Sequence, residues 1–521
     1  MQAISHKALY EKLRDTDVIR KATQYAHWTL PALMADLSSR KGYGGAVVLE
    51  RDYQEIGALL TNHLAAKLAG LLFPSSRPFF KATASAEVIA LAEKAGHKRT
   101  DISAGLAKME MEAAQLLFRN ASYNQLVLAL KQLIVTGNVL TYRDTEQHRT
   151  VTYGLQSFAV RRDGKGVVLD CVLKECTFVE ALDEDIQAVL RAKNRAMYSR
   201  PEQVVEVYTR IHRRVVSKKV MYDVTQEVDT TPVGTLGTYP EHLCPWQVIP
   251  WNLIVGEHYA RGMVEDYAGG FAKLSDLSEA EALYSIEIMR VLHIVNSGSG
   301  TDIDDLMGAE TGEYIAGSPD AVTTHEAGDA GKLQQVSASI EGVVQRLSRA
   351  FMYGANTRDA ERVTAFELAQ DAREAEASLG GVYSSLAESW QVPLSHVLMH
   401  EANPRVLEGI ITGDMKLGIT AGIPALGRAA DVQNILSATQ EASAIVPALA
   451  QLDRRVDPAK VFDLIMAGQS VDTSAFYFTE DELRAKAEAD AQIAKGQGQM
   501  LAAQDSAALA DQTMQLQQGQ A

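Results

Sequence analysis

Apolar positions fall into two periods along this chain, and the period changes mark its elements. The longest helical stretch is Glu361–Leu394, ERVTAFELAQDAREAEASLGGVYSSLAESWQVPL. Leu368, Ala372, Ala375, Leu379, Val382, Leu386 and Trp390 recur in steps of three and four, the spacing of one helix face. Thr364 with Glu367 forms a capping box that starts this helix, and Pro393 is expected to stop it. Gly380-Gly381 inside it predicts a kink or a close packing contact, because glycine costs about 1 kcal/mol in a helix interior.

Upstream, residues 8–40 read as helix with a break near Pro31. Tyr53–Phe73 is a second helix. Asp101–Ile134 is a helical pair split around Asn120–Asn124, and Val135–Arg143 turns into a strand. Thr150–Phe158, Gly166–Phe178, Val204–Val216 and Lys219–Val228 alternate apolar and polar residues, as half-buried strands do. A turn at Ser217-Lys218 joins the last two, and Ala181–Lys193 is a short helix. Ser278 with Glu281 is a second capping box, opening a helix with Ala282, Leu283, Ile286, Met289, Leu292 and Val295 on one side and ending at Asn296-Ser297-Gly298. A returning helix over Ser337–Tyr353 carries Ile340, Val344, Leu347 and Phe351 in step. The residues between, 297–335, hold seven glycines, eight acidic residues and one lysine, Lys332. This pattern makes a helical hairpin with an elaborate acidic tip. After the long helix, Asn403–Asp457 and Pro458–Ala467 are mostly helical, and Asp481–Ala521 is Ala/Gln-rich, a frayed helix or disordered.

Composition narrows the function. At 521 residues the chain can hold two to four domains. A net charge of −16 argues against a phosphate-gripping nucleic-acid binder, though not against a channel through which DNA slides. Cys171, Cys176 and Cys244 form no even framework and are expected as reduced thiols. The N-terminus has no apolar signal core, and Gly57–Phe73 is interrupted by Asn62, His63 and Lys67, so no membrane span is expected.

Candidate chemistry is sparse. His396 and His400 share a helix face at a zinc-compatible spacing, but Val397 stands where a metalloprotease needs Glu, and Glu401 points elsewhere. Cys171 and Cys176 fall on opposite strand faces, and Cys244 cannot complete a zinc site with them. Asp302, Asp304 and Glu313 approach calcium-loop spacing, but Leu306 and Met307 occupy positions that need oxygen or glycine. Gly298-Ser299-Gly300 is not followed by the Lys of a phosphate loop. No catalytic residue, cofactor or metal is therefore expected. Arg346, Arg349, Arg358 and Arg362 cluster at the end of the returning helix and the link beyond it. They read as partners of Asp359, Glu361 or Glu367, or as weak contacts to DNA phosphates in a channel, with Arg358 foremost.

The segments ERVTA, LGGVYS and the later Pro-Leu, in this order on one long helix, resemble the portal (head-to-tail connector) protein of short-tailed, podovirus-type bacteriophages. Leu72-Phe73-Pro74, LKQLIVTGNVL at Leu130–Leu140, TYPEHLCP at Thr238–Pro245 and GEHYARGMVEDY at Gly256–Tyr267 are similar to that family in place and order. The resemblance covers about residues 8–480. It implies an α+β, mostly α portal fold. The wing would be 1–277, the stem helices 278–296 and 336–353, and the clip 297–335. The tunnel loop would be 354–362, the long kinked helix of the wing 363–403 and the crown 404–480, with 481–521 as a C-terminal tail. It also implies a ring of twelve copies at one capsid vertex of the virion, assembled in the host bacterial cytoplasm. The ring would nucleate head assembly and conduct double-stranded DNA during packaging and ejection. Its partners would be the terminase large subunit, the tail adaptor, the major capsid protein, a scaffold and internal core proteins, with no membrane. Within it, Asn356, Arg358, Arg362, Arg349 and Arg346 would belong to the channel, and Asp302, Asp304, Asp305, Glu310 and Glu313 to the clip contact. Gly380 and Gly381 would form the kink. The rival readings are a metal-dependent hydrolase using His396, His400 and Glu401, and another ring component of the tail.

Overall fold

The computed structural model describes residues 4–35, 43–44, 49–50, 52–75, 77–84, 89–90, 94, 99–289, 291–296, 298, 302–312, 314, 316–318, 320–326, 330–353, 379, 381–403 and 415–419. All of them lie in one compact unit, Met1–Leu426. The fold is α+β.

The chain opens with α1 (His6–Leu13), capped by the Ser5 side chain, and α2 (Thr16–His27), capped by Asp15. A 3-10 turn at Pro31–Met34 marks the break read from Pro31. Helices α3 (Ile56–Leu72), α4 (Arg99–Leu116) and α5 (Ser122–Thr136) build the main core together with β1 (Phe80–Ala84). Leu60, Leu64 and Leu68 of α3 and Leu126, Leu130 and Leu133 of α5 are fully buried there.

Gly137 ends α5 with φ +76, the left-handed cap that glycine adopts without a Cβ penalty. A Cβ there would lie 2.5 Å from the Ala260 carbonyl oxygen, so glycine also permits the segment near Ala260 to pack close. Next comes β2 (Asn138–Asp144), the middle strand of a sheet with β3 (Arg149–Tyr153) and β9 (Trp246–Pro250). Asn138 brackets Ala260 with two hydrogen bonds, donating from Nδ2 to its carbonyl at 2.8 Å and accepting its amide at 2.9 Å.

A second sheet is a five-stranded antiparallel meander: β4 (Phe158–Arg162), β5 (Val168–Phe178), β6 (Val204–Val216), β7 (Lys219–Val228) and β8 (Thr231–Pro240). Its two faces are both covered. Tyr10 of α1 packs on Ala159, Val172 and Tyr208, and its hydroxyl donates to the Gln156 carbonyl at 2.6 Å. Leu190 of α6 (Glu184–Lys193) packs with Val205, Val207 and Val228 elsewhere on the sheet. Ser217 and Lys218, both at positive φ, make the β6–β7 turn where the sequence places it.

Two long helices, 21 residues each, form a hairpin after Tyr267. The first, α7 (Ala268–Ile288), begins ten residues before Ser278 and ends before the expected Asn296. Ser278 is thus interior rather than a cap, because Phe271 and Leu274 bury against the body and pull the helix start back. Glu281 instead accepts a hydrogen bond from Ser337 on the returning helix. Beyond it, Val291–Val295 is a strand, β10, not helix. It is antiparallel to β11 (Val322–Glu326), with Val291 opposite Glu326 and Val295 opposite Val322. Val291, Ile294 and Val295 are β-branched and suit a ladder, and strand pairing overrides the helical spacing. The short helix α8 (Ile303–Gly308) lies between these strands, and α9 (Ala330–Ala350) returns, starting earlier than Ser337.

The long helix is not continuous. Gly381 has φ +91 and caps a new helix, α10 (Val382–Leu386), followed by a π-wound turn at Ala387–Gln391 and α11 (Val392–Ala402). Pro393 therefore does not stop the helix. It sits in the first turn of α11, where a missing N–H costs nothing within the new helix. Gly380, the helix start near Thr364, most of the proposed crown and the whole tail lie outside the described residues. This segment packs on the end of α3: Phe73 meets Trp390 edge-on at 5.0 Å, and Tyr383 donates to the Leu71 carbonyl at 3.1 Å. The last described strand, β12 (Met415–Ile419), pairs with β1. No helix among the described residues is long and apolar enough to cross a membrane.

Candidate assembly and channel surfaces

The α7–α9 hairpin carries the features that the sequence ties to function. At its base the helices interlock. Phe351 meets Phe271 edge-on at 5.7 Å, and Val343 and Leu347 are buried. A Cβ on Gly270 would stand 3.2 Å from Leu347, so glycine lets the helices approach there. Ser275 donates to Asp52 at 2.7 Å, fastening α7 to the segment before α3.

Toward the far end of α7 the core runs out while the apolar stripe continues. Leu283, Ile286 and Met289 are 55%, 60% and 74% exposed, and Ile294 on β10 is 58% exposed. Leu283, Ile286 and Met289 stand three apart along α7 and its C-cap. The sequence places Leu283, Ile286 and Met289 on one side of the helix, and periodicity alone cannot say whether an apolar face meets its own chain or another. Exposed stripes of this kind mark protein–protein contacts.

The acidic residues of the tip include Asp302, Asp304, Asp305 and Glu310, all exposed. Asp302 caps α8, its carboxylate accepting the Asp304 amide at 3.0 Å. Glu313 lies outside the described residues.

Arg346 and Arg349 are both exposed near the C-terminal end of α9. The helix ends in a Schellman motif: the Tyr353 amide donates to the Ser348 carbonyl and the Met352 amide to Arg349, with Met352 at φ +55. Buried Met352 holds a left-handed conformation that glycine usually takes, fixing the direction in which the chain leaves α9. Asn356, Arg358 and Arg362 lie outside the described residues.

Two of the three residues of the hydrolase reading, Glu401 and His396, are occupied otherwise. Glu401 is almost fully buried in an ion pair with Arg143 and also meets His148. His396 Nδ1 donates to the Val392 carbonyl at 2.8 Å, and burial lowers its basicity. Among the described residues no three His, Cys, Asp or Glu side chains are placed to share a metal ion. Burial pushes the Cys171 thiol up and Cys244 up to about 12, so both stay protonated at neutral pH. None of Cys171, Cys176 and Cys244 is in a disulfide.

The described residues form an α+β body with a helical hairpin that carries a small β-ribbon. The chain belongs to the bacteriophage head to tail connecting protein family, whose model matches residues 5–477. It is 45% identical over 486 residues to the portal protein of Pseudomonas phage phiKMV, covering 93% of this chain and 94% of that relative. It is 30% identical over 518 residues to the portal protein of Escherichia phage T7, covering 97% and 94%. Among solved structures, the neck of an empty gene transfer agent particle computed with C6 symmetry covers 77% of this chain and 87% of its own. The TM-score is 0.37 and the identity 11%.

Proposed function

We propose that this chain is the subunit of a portal ring of twelve copies at one capsid vertex, a conduit for double-stranded DNA in packaging and ejection. The observation that carries this reading is the family match along nearly the whole chain. The exposed Leu283–Ile286–Met289 stripe supports it, because a closed ring needs a heterologous contact on every subunit.

In this reading 1–277 is the wing, 278–296 and 336–353 are the stem and 297–335 is the clip. Residues 354–362 form the tunnel loop, 363–403 the long interrupted helix and 404–480 the crown. Arg346 and Arg349 stand where α9 feeds the tunnel loop, and with Asn356, Arg358 and Arg362 they touch phosphates without reading bases. The remaining acidity, −16 per copy, keeps DNA from adhering. Asp302, Asp304, Asp305, Glu310 and Glu313 face the terminase large subunit and later the tail adaptor. The major capsid protein, a scaffold and internal core proteins contact the ring elsewhere, and assembly takes place in the host bacterial cytoplasm. Energy for packaging comes from the ATPase partner.

Heads assembled with this chain are expected to package double-stranded DNA when given terminase and ATP, and heads assembled without it to package none. DNA packaging by heads that lack the chain contradicts the assignment.

A further inference from the structure

The protein closes two of its sheet edges with its own side chains, and among the described residues no strand covers a third. On β4 the Val160 amide donates to the Tyr259 hydroxyl at 3.3 Å and the Arg162 amide to His258 Nδ1 at 3.2 Å. On β3 the Thr150 amide donates to Ser122 Oγ at 3.1 Å and the Thr152 amide to Gln125 Oε1 at 3.2 Å. The far edge of the five-stranded sheet is β8, which pairs with β7 on one side and with no strand on the other among the described residues. Pro232, Gly234, Thr235, Leu236 and Thr238 are exposed there.

Proteins blunt open edges with charge, since unpaired amides and carbonyls recruit other strands. TPVGTLGTYP, the whole of β8, has no charged residue. Pro232 and Pro240 restrict further pairing to the stretch between them, 233–239. Leu236, 48% exposed, is the large apolar side chain there.

We propose that the outer edge of β8, residues 233–239, receives an extended segment of a second copy of this chain by strand addition, an inference that rests on the ring reading above. Charge selects the occupant. Each copy carries −16, so two copies approach with least repulsion along an uncharged strip. A basic partner gains nothing from a strip without carboxylates, and a nucleic acid gains nothing from one without cations. Backbone hydrogen bonds supply the attraction. The occupant is not β4, the opposite edge of the same sheet, whose amides are already taken, and closure of a ring requires the contact to be heterologous.

The test compares the full chain with its Leu236→Lys variant, whose new charge sits on an exposed edge position that has no partner in the β7 register. Native mass and circular dichroism are read for both. In parallel, hydrogen exchange of residues 233–239 is read in wild-type rings and in wild-type subunits before assembly. The expected result is a folded variant that fails to form rings, and amides in 233–239 that exchange at least about tenfold more slowly in wild-type rings. Variant rings at wild-type yield, or equal exchange in the two wild-type states, overturn the β8 contact and leave the portal reading standing. A wild-type chain that forms no ring overturns both.

Discussion

Arg143 and Glu401, 258 residues apart, meet in a two-point ion pair with Nε–Oε2 at 2.9 Å and Nη2–Oε1 at 2.7 Å. Both side chains are almost wholly buried. Ser122, Thr150 and the Leu116 carbonyl take the remaining guanidinium hydrogens, so the charge is fully satisfied. The pair bolts α11 to the β2–β3 hairpin and thus ties the chain after Gly381 to the body.

Removing one partner strands the other charge in the interior. Glu401→Gln or Arg143→Met is expected to cost about 3–5 kcal/mol, whereas Arg143→Met/Glu401→Leu should recover most of that loss. Urea unfolding of the three variants checks it. Equal losses in the single and double variants would show that the pair is not the unit of stability.

Acid is expected to loosen α1. Burial alone raises the Glu206 carboxyl, but hydrogen bonds from Lys7 and Tyr208 and the charge of Lys174 outweigh it and hold the group at about 2. Its unfolded value is 4.5. The folded value is depressed, so the stabilisation is complete above about 4.5 and is lost as pH falls toward 2. Lys7 lies 3.0 Å from Glu206, which makes α1 the element released. Glu206→Gln should be less stable at pH 7 and show a shallower loss between pH 4.5 and 2, read by thermal unfolding across that range. A slope identical to wild type would count against the assignment.

The β6–β7 turn is under backbone strain. Ser217 and Lys218 are exposed at φ +50 and +66, where asparagine and glycine sit more easily. Ser217→Asn/Lys218→Gly should stabilise this hairpin by about 0.5–1 kcal/mol. Slower hydrogen exchange in Val204–Val216 and Lys219–Val228 would register the gain, and unchanged or faster exchange would contradict it.

The strands of this hairpin were legible because one residue in two faces the core, and that alternation survives in the sequence. Its neighbour β8 was not, since two prolines and two glycines hide a strand whose ladder has register shifts opposite Val224/Thr225 and Gln226/Glu227. Helical boundaries failed where packing decided them. Phe271 and Leu274 extend α7 backwards, and the π turn at Ala387–Gln391 carries the chain past Pro393. Family membership was legible in ordered segments such as GEHYARGMVEDY. The outward turn of Leu283, Ile286 and Met289 was not, because an apolar stripe reads the same whichever chain covers it.

That stripe gives a separate expectation. Ile286→Glu/Met289→Glu adds charge on an exposed face, so the subunit should remain folded while ring yield falls at least about tenfold. Sedimentation with circular dichroism separates loss of assembly from loss of fold. Full ring yield would remove the stripe from the interface.

The central claim is tested most directly by the native mass of the purified chain, with negative-stain images of the same sample. The account predicts rings of about twelve 56.7 kDa subunits around a central channel. A species that stays monomeric or dimeric, both alone and with its scaffold and capsid protein, would contradict it.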